Sequence, residues 1–259
     1  MSVLNCCRGL GIGAWLMVQS ATVATEGDWM LLEGKATDIE TGQHIYSERH
    51  SLAMSESGQW SMETDYLGPD GDLWAERSVW FDASNARAPE YQFVDYRDGY
   101  EEGATRSQDG LIELYKEIMG ERSSVFLEPE KLTNLVIDAG FSAVIEQKWD
   151  NLLQGKSVTF DFASSARLTT VQFRLSHRRN IGDESVEEFK LEPANWFIRM
   201  LVKPIYLTYN ADQKTLISYE GLSNLRREGG GNYSVKIAFP QDHQFTMRQL
   251  PSALRQAVP

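Results

Sequence analysis

The sequence predicts an α+β fold in which a mostly antiparallel, strongly curved sheet or incomplete β-barrel carries a central pair of helices. Three observations predict it. Apolar and polar residues alternate along both halves of the chain, which is the period of two that strands require. Turn-forming residues join these stretches into hairpins. The middle of the chain changes to helical spacing. About ten strands are expected, a number at which open sheets tend to curl.

The first half of the chain predicts two hairpins and a fifth, shorter strand. The loop Leu67–Asp72 contains Gly-Pro-Asp-Gly, which is a strong turn signal. Asp98–Gly110 is rich in charge and glycine and predicts a loop. The stretches with strand-like alternation are Trp29–Asp38, His44–Leu52, Gln59–Tyr66, Leu73–Asp82 and Tyr91–Arg97.

The middle of the chain predicts helices. Leu111–Met119 is expected to form a short one. Pro129 suits a helix start, and Gly140 suits the end of the same helix. A second helix is expected from Phe141 to Leu152, with its apolar residues at steps of three and four. These last two helices should form an αα unit that packs on one face of the sheet.

The second half returns to strands. Its clearest feature is the hairpin Pro204–Asn224, whose turn Asn210–Gln213 contains residues that tolerate left-handed backbone and bond to nearby amides. Asn195–Lys203 is a short, dense apolar helix or loop that ends at Pro204. The other predicted strands are Ser157–Ala163, Leu168–His177, Glu184–Leu191 and Tyr233–Phe239.

The composition excludes some partners. The 259 residues carry a formal net charge of −12. An acidic surface has no general affinity for nucleic acid or anionic lipid unless it holds a local basic patch. No nucleic-acid partner is therefore expected.

The N-terminus predicts export. An apolar run, Leu10–Val18, follows Arg8, and Thr22-Val23-Ala24 is an acceptable cleavage site. The run is too short to span a bilayer as a helix, which takes about 20 residues. Residues 1–24 are interpreted as a signal peptide and residues 25–259 as a single β-rich domain. The mature chain, without Cys6 and Cys7, is expected to be periplasmic and not integral to the membrane.

One strand face carries groups with possible chemistry. Tyr46, Glu48 and His50 are spaced by two and therefore share a face of their strand. Glu48 and His50 could ligate a divalent metal, or His50 could act as a base oriented by Glu48. The alternative is a hydrogen-bonded polar face without chemistry. No catalytic residue, metal site or cofactor is predicted from this pattern alone.

A second feature suggests a ligand. Asn195–Lys203 contains six large apolar residues in seven positions and could form the wall or lid of an apolar cavity in a curved sheet. The alternative is ordinary core packing. The predicted ligand-contacting residues are Tyr46, Glu48, His50, Trp196, Phe197, Met200, Leu201, Tyr206 and Tyr219.

Four short motifs support a family resemblance. They are Glu33-Gly34, Tyr46-x-Glu48-x-His50, Asp138-Ala139-Gly140-Phe141 and Tyr219-Glu220-Gly221-Leu222-Ser223-Asn224. With them the chain resembles an uncharacterised family of exported proteobacterial proteins, a domain of unknown function. More distantly, strands that wrap a helical pair are similar to the half-barrels that carry lipoproteins or lipids across the periplasm. The resemblance implies export and a single domain.

Three functions remain open at this point. The first is a periplasmic protein that binds or carries an apolar, lipid-like small molecule. The second is an envelope assembly or structural factor without a ligand. The third is a metal-dependent hydrolase that uses Glu48 and His50. The sequence makes no prediction of oligomeric state.

The N-terminal analysis makes a direct prediction. When the full-length chain is expressed in a Gram-negative host, the purified protein should begin at Thr25, as read by intact mass and N-terminal sequencing. Ala24→Asp, which removes the small residue before the cleavage site, should leave a longer form. A wild-type protein that still begins at Met1 or Ser2 would contradict the signal peptide.

Overall fold

A continuous antiparallel sheet dominates the structure, a computed structural model that describes residues 29–54, 59–81, 86–132, 134–178, 185–200 and 202–240. Fifteen strands in these ranges belong to this sheet. The first eight are β1 (Trp29–Asp38), β2 (His44–Met54), β3 (Trp60–Leu67), β4 (Leu73–Phe81), β5 (Glu90–Asp95), β6 (Tyr100–Arg106), β7 (Ile112–Ile118) and β8 (Glu121–Leu127).

The remaining elements include two short helices. The helices are α1 (Phe141–Leu153) and α2, the single turn Trp196–Arg199. The strands are β9 (Val136–Ile137), β10 (Val158–Ser164), β11 (Thr169–Arg178), β12 (Val186–Pro193), β13 (Ile205–Asn210), β14 (Leu216–Arg226) and β15 (Asn232–Ala238).

The strand order explains how the chain fills the sheet. Strands β1 to β8 run outward in one direction as a meander, and β9 to β15 return from the opposite edge. β1 and β15 therefore lie side by side in the middle, with Lys35 opposite Ala238 and Asp38 opposite Val235. Each neighbouring pair is antiparallel except β9 and β10, which are parallel.

A short connection forces this sheet to curl. Fifteen flat strands would span about 65 Å at roughly 4.8 Å for each step. The two edge strands, β8 and β9, are joined by residues 128–135 alone, which can reach at most about 30 Å. The two edges must therefore approach each other, and one face of the sheet becomes an enclosed interior.

Contacts across the interior confirm the curl. The Ser165 hydroxyl, after β10, donates to the Gly103 carbonyl of β6 at 2.7 Å. The Ile137 amide donates to the Arg87 carbonyl at 2.9 Å. Gly140 lies so close to the same carbonyl that a Cβ there would overlap it. These contacts join elements from opposite halves of the sheet.

Aromatic side chains fill much of the interior. In one half, Tyr66 packs against Tyr46 at 5.8 Å between ring centroids and edge-on against Phe93 at 5.7 Å. In the other half, α1 places Trp149 against Phe189 of β12 at 5.0 Å. Each half thus has its own aromatic cluster under the curved sheet.

Most predicted strands are confirmed, including both N-terminal hairpins and the hairpin that begins at Pro204. In the latter hairpin, the Asn210 side chain accepts hydrogen bonds from the amides of Asp212 and Gln213, as expected for an Asx-type turn. The helix predicted from Phe141 is α1. Asp82 and Glu184, which were predicted to lie in strands, are outside the described residues.

The predicted fold class is wrong, because the described ranges hold no pair of helices on the sheet and the fold is not α+β. The segment from Pro129 to Gly140 contains one turn of 3-10 helix, the parallel strand β9 and a second 3-10 turn. The β-branched residues Val136 and Ile137 favour a strand over a helix. Helix-like spacing arose because the irregular segment buries Leu135, Val136 and Ala139 in the interior.

Two further predictions are corrected in the same region. Leu111–Met119 is mostly strand β7, and Asp98–Gly110 contains strand β6. In both strands a charged residue stands in the inward row, Glu102 in β6 and Lys116 in β7, and this disguised the period of two. Gly103 is required in β6 because a Cβ there would overlap the Tyr91 carbonyl.

No helix in the described part of the chain has the length and apolar character needed to cross a membrane.

The close approach at Gly140 gives a stability prediction. Gly140 has an ordinary φ of −61°, so an alanine there would suffer only from overlap with the Arg87 carbonyl. Gly140→Ala should lower the unfolding free energy by about 3 kcal/mol, the upper range for overpacking. Urea denaturation would measure it.

Gly110 provides the matched control. Its φ is +85°, and a Cβ there would meet no atom within 4 Å. Gly110→Ala should cost only the conformational penalty of about 1 kcal/mol. An equal loss in the two variants would contradict the close contact between the two halves.

Candidate functional site

The three predicted residues of β2 face the interior. Tyr46 and His50 are buried, and so is Glu48, a charged residue at a position where apolar residues are usual. They alternate with Ser47, which is partly exposed, and Arg49, which is exposed. The strand thus places a phenol, a carboxylate and an imidazole in one interior row.

The row is a hydrogen-bond chain directed at Glu48. The Tyr46 hydroxyl donates to Glu48 Oε1 at 3.4 Å, and the His50 Nε2 proton faces Glu48 Oε2 at 3.0 Å. Ser223 Oγ accepts from the Leu225 amide, so its own proton is directed to the Tyr46 oxygen at 2.8 Å. Donors therefore reach the carboxylate from both sides, which offsets the cost of burying it.

The chain continues beyond His50 to a buried ion pair. His50 Nδ1 lies 2.9 Å from Thr64 Oγ1, and Thr64 Oγ1 also accepts from Arg77 at 3.4 Å. With a proton on Nε2 directed at Glu48, the Nδ1 atom of His50 accepts the hydrogen bond from the Thr64 hydroxyl. The Arg77 guanidinium in turn lies 3.5 Å from Asp138 Oδ2.

This ion pair leaves polar atoms without partners. Both side chains are about nine-tenths buried. Arg77 Nε donates to no described residue, and Asp138 Oδ2 accepts no hydrogen bond from one. A buried polar atom without a partner costs about 1–3 kcal/mol. Asp138 also has a left-handed backbone, with φ at 44°, a strained conformation of the kind that accumulates at functional sites.

A cavity of about 310 Å³ opens onto this network. We call it the apolar chamber. One wall is polar and is formed by Tyr46, Glu48, His50, Tyr66, Arg77, Asp138, Ser164, Ser223 and Asn224. The remaining walls are apolar or aromatic and are formed by Phe141, Phe162, Phe173, Leu191, Ile205, Leu207, Leu216, Tyr219, Leu222, Ile237 and Phe239.

A second cavity of about 360 Å³ shares Asp138, Phe162, Ser164 and Asn224 with the first. We call it the polar chamber, because its other lining residues include Tyr91, Tyr100, Glu102, Lys116, Arg226 and Asn232. Asp138 lies on the boundary between the two chambers. The interior therefore holds an apolar and a polar cavity on either side of this residue.

Glu102 is the buried acid of the polar chamber. Its carboxylate accepts from Tyr91 at 3.3 Å and from Tyr100 at 2.5 Å. Burial raises the pKa of Glu102 above its usual value, an effect that the hydrogen bond from Tyr100 opposes.

The buried tyrosines of the apolar chamber are held protonated. Burial raises the pKa of Tyr46 well above its usual value of 10, and the Glu48 carboxylate adds to this effect. Burial also raises the pKa of Tyr219 and of Tyr66, although for Tyr66 the Arg77 charge opposes the shift. These phenols act as neutral donors.

Gly34 explains how the aromatic side of the chamber approaches His50. A Cβ at Gly34 would lie 2.6 Å from Cε1 of Phe239, so only glycine leaves room for that ring. The Phe239 ring in turn packs against His50 at 5.9 Å between centroids. Of the four short motifs that support the family resemblance, three contain residues that line the chamber. The fourth, Glu33-Gly34, leaves room for the ring of Phe239, which also lines it.

Several predicted ligand contacts lie elsewhere. Tyr219 lines the apolar chamber, together with the three residues of β2. Trp196, Phe197 and Met200 are exposed and do not line it. Tyr206 is on the other face of β13, where the Arg178 guanidinium lies 4.9 Å from its ring. Leu201 is outside the described residues.

The acid–base and metal interpretations of Glu48 and His50 find little support in this geometry. Both imidazole nitrogens face protein partners, so neither ring nitrogen is open to a substrate proton. In the ranges that the structure describes, no three His, Cys, Asp or Glu side chains come together as metal ligands. The arrangement can offer hydrogen bonds to a bound molecule.

Sequence reasoning missed Arg77, although the pattern of β4 contains a signal. Ala75, Val79 and Phe81 are buried on one face, and Arg77 occupies the same face by alternation. A charge at an inward position needs a partner, and Asp138 provides it. Thr64 is likewise a polar residue at an inward position of β3, between the buried residues Met62 and Tyr66.

Comparisons with known proteins add a structural neighbour. No protein-family model and no curated protein matches the chain. Among solved structures, the chain is similar to the crystal structure of a beta-barrel-like protein of domain of unknown function DUF1849 from Brucella abortus. The identity is 7%, the match covers 82% of this chain and 96% of that chain, and the TM-score is 0.48. The resemblance to an exported proteobacterial family stays a prediction.

The raised tyrosine pKa values predict alkaline unfolding. Above pH 10 a tyrosine of the unfolded chain loses its proton, whereas Tyr46, Tyr66 and Tyr219 keep theirs when folded. Their contribution to stability is complete below pH 10 and is lost as the pH rises toward the folded pKa. Each can lower the unfolding free energy by up to about 1.4 kcal/mol per pH unit. Urea denaturation between pH 8 and pH 11 would measure this slope.

Tyr46→Phe isolates one of these groups. The variant loses the hydrogen bonds to Glu48 and Ser223, so it should be less stable at pH 8 by about 1–2 kcal/mol. Its stability should then fall less steeply above pH 10 than that of the wild type. An unchanged slope would mean that the pKa of Tyr46 is the same in the folded and the unfolded protein.

Proposed function

We propose that this protein binds a small amphiphile in the apolar chamber. The apolar body of the ligand packs against the aromatic and aliphatic walls, and its polar end group reaches Arg77 and Asp138. A cavity of about 310 Å³ with apolar walls and a few convergent polar groups is typical of small-molecule sites. Of the residues predicted from the sequence as ligand contacts, Tyr46, Glu48, His50 and Tyr219 line this chamber.

The observation that carries the proposal is the pair of unsatisfied polar atoms. A buried donor, Arg77 Nε, and a buried acceptor, Asp138 Oδ2, border an apolar space and have no hydrogen-bond partner among the described residues. A ligand group that both donates and accepts would satisfy them and recover part of the cost of their burial.

The charges of the polar wall favour a neutral end group. Arg77 is already paired with Asp138, and Glu48 lies in the same wall. A ligand carboxylate would therefore be buried beside two carboxylates and one cation, which is unfavourable. A hydroxyl or carboxamide supplies a donor and an acceptor without adding charge.

We also infer that the protein acts after export, in the periplasm. The support is the apolar run Leu10–Val18 and the small residues before Thr25, which lie outside the described residues. An exported binder of apolar molecules would hold them in an aqueous compartment. Native mass spectrometry of protein purified from its host would reveal a co-purifying mass.

Competition binding tests the ligand class. The neutral fluorescent amphiphile N-phenyl-1-naphthylamine should bind, with an increase in its emission. At pH 8, 1-decanol and decanamide should displace it at concentrations about tenfold lower than decanoate, because the carboxylate would be buried beside Glu48 and Asp138. Equal displacement by all three would contradict the neutral end group.

Blocking the chamber tests its location. Leu222 lines the chamber and is 45% exposed, whereas Leu73 is 44% exposed and lies outside it. Leu222→Trp should weaken probe binding about tenfold by occupying apolar space, which corresponds to roughly 1.4 kcal/mol. Leu73→Trp should leave binding unchanged. If neither variant affects binding, the probe binds elsewhere and the proposal fails.

A further inference from the structure

The segment that joins β12 to β13 exposes large apolar side chains. Trp196 is 55% exposed, Phe197 59% and Met200 70%. The two aromatic rings stack on each other at 3.7 Å between centroids instead of packing into the interior. The sequence predicts these residues as the wall or lid of a cavity, so their position at the surface needs its own explanation.

The exposed side chains are held on an ordered support. The Asn195 side chain accepts a hydrogen bond from the Phe197 amide at 2.9 Å and so caps the single turn of α2. Arg199, in the same turn, reaches back to Glu192 of β12 at 3.1 Å. The rings are therefore presented at the surface in a fixed arrangement, and clustered exposed apolar side chains mark interaction sites.

Basic residues lie in and beside the segment that carries this apolar cluster. Lys190 lies 2.6 Å from Glu192, and Arg174 also pairs with that carboxylate. With Arg199, three cations share one carboxylate. Lys203 adds a fourth charge, and its only described ion-pair partner is Glu40 at 3.9 Å on an exposed surface. On a chain of net charge −12 this is a local excess of positive charge.

The cluster also lies beside the apolar chamber. Leu191 and Ile205, which precede and follow the connecting segment, pair with each other and line the chamber. Ile205 lies next to Gly221, and the adjacent Leu222 lines the chamber while half of its surface is exposed. Leu222, an exposed residue of the chamber wall, is therefore at the same end of the strands as the exposed rings.

We propose that α2 docks the protein on an anionic lipid bilayer. Trp196, Phe197 and Met200 enter the headgroup region, where aromatic side chains are favoured. Lys190, Arg199 and Lys203 face lipid phosphates, and each basic residue near such a surface strengthens binding roughly fivefold. The charges argue against a symmetric dimer through this face, because a two-fold contact would bring like charges together.

This inference is independent of the proposed ligand, since it rests on the outer surface. If it holds, the Leu222 side of the apolar chamber faces the bilayer when the protein is docked. The proposed partner of the exposed α2 surface is a lipid bilayer. Binding to another protein or to a second copy of this chain is an alternative result that the experiments below distinguish.

Vesicle co-sedimentation tests the docking. The full-length chain, purified as processed by a Gram-negative host, is mixed with vesicles of phosphatidylcholine and phosphatidylglycerol at three to one. Wild type should bind these vesicles at least tenfold more tightly than vesicles of phosphatidylcholine alone. Sodium chloride at 0.5 M should weaken the binding, because surface charges are screened. Wild type that fails to sediment with the anionic vesicles overturns the proposal.

Matched variants locate the contact. The double variant Trp196→Ser, Phe197→Ser should lose at least tenfold in affinity for the anionic vesicles. Phe126→Ser, which removes an aromatic side chain that is 58% exposed on β8, should change it less than twofold. Circular dichroism and the denaturation midpoint confirm that each variant is folded. Equal affinities for all three proteins would overturn the proposal.

Charge reversal and oligomeric state separate the remaining outcomes. Arg199→Glu with Lys203→Glu should reduce binding to the anionic vesicles and leave binding to phosphatidylcholine unchanged. Sedimentation velocity of wild type and the Trp196/Phe197 double variant should show the same species. If wild type is a dimer that the double variant dissociates, while vesicle binding stays the same, the face is an interface between copies and the lipid assignment is wrong.

Discussion

The eight-residue connection between β8 and β9 is the constraint from which the rest of this structure follows. A flat sheet of fifteen strands could not be joined at its edges by residues 128–135, so the sheet has to enclose a space. The connection then leads directly into Asp138–Gly140, which meets the Arg87 carbonyl from the opposite half. The enclosed space, its boundary residue Asp138 and the two chambers all depend on that short reach.

The interior is unusual because it contains charged side chains. Glu48, Arg77 and Asp138 occupy inward positions, and each would be costly to bury alone. Their hydrogen-bond chain through His50 and Thr64 compensates most of that cost. Of these three side chains, Arg77 and Asp138 each keep a buried atom without a hydrogen-bond partner among the described residues, and both line the apolar chamber. The polar groups that could recognise a ligand therefore lie on one wall of a cavity whose other walls are apolar.

The sequence predicted strands well where alternation was regular, and the hairpin after Pro204 is confirmed together with its Asn210 turn. It failed between Pro129 and Gly140, where burial of Leu135, Val136 and Ala139 imitates a helical stripe. Tyr46, Glu48 and His50 were found because alternation places them on one face. Arg77 was not found as their partner, because the register between β2, β3 and β4 is a tertiary property that local spacing does not encode.

The place of β1 beside β15 has a consequence for folding. Within each half of the sheet, neighbouring strands are also neighbours in sequence, so their hairpins close small loops at low entropic cost. The pairing of Lys35 with Ala238 closes a loop of roughly two hundred residues. Among the strand pairings of the described residues, this ladder is the one that joins segments far apart in the sequence, and such non-local pairings form late. Each half can become structured from its own local contacts, and the sheet is complete only after almost the whole chain has been synthesised.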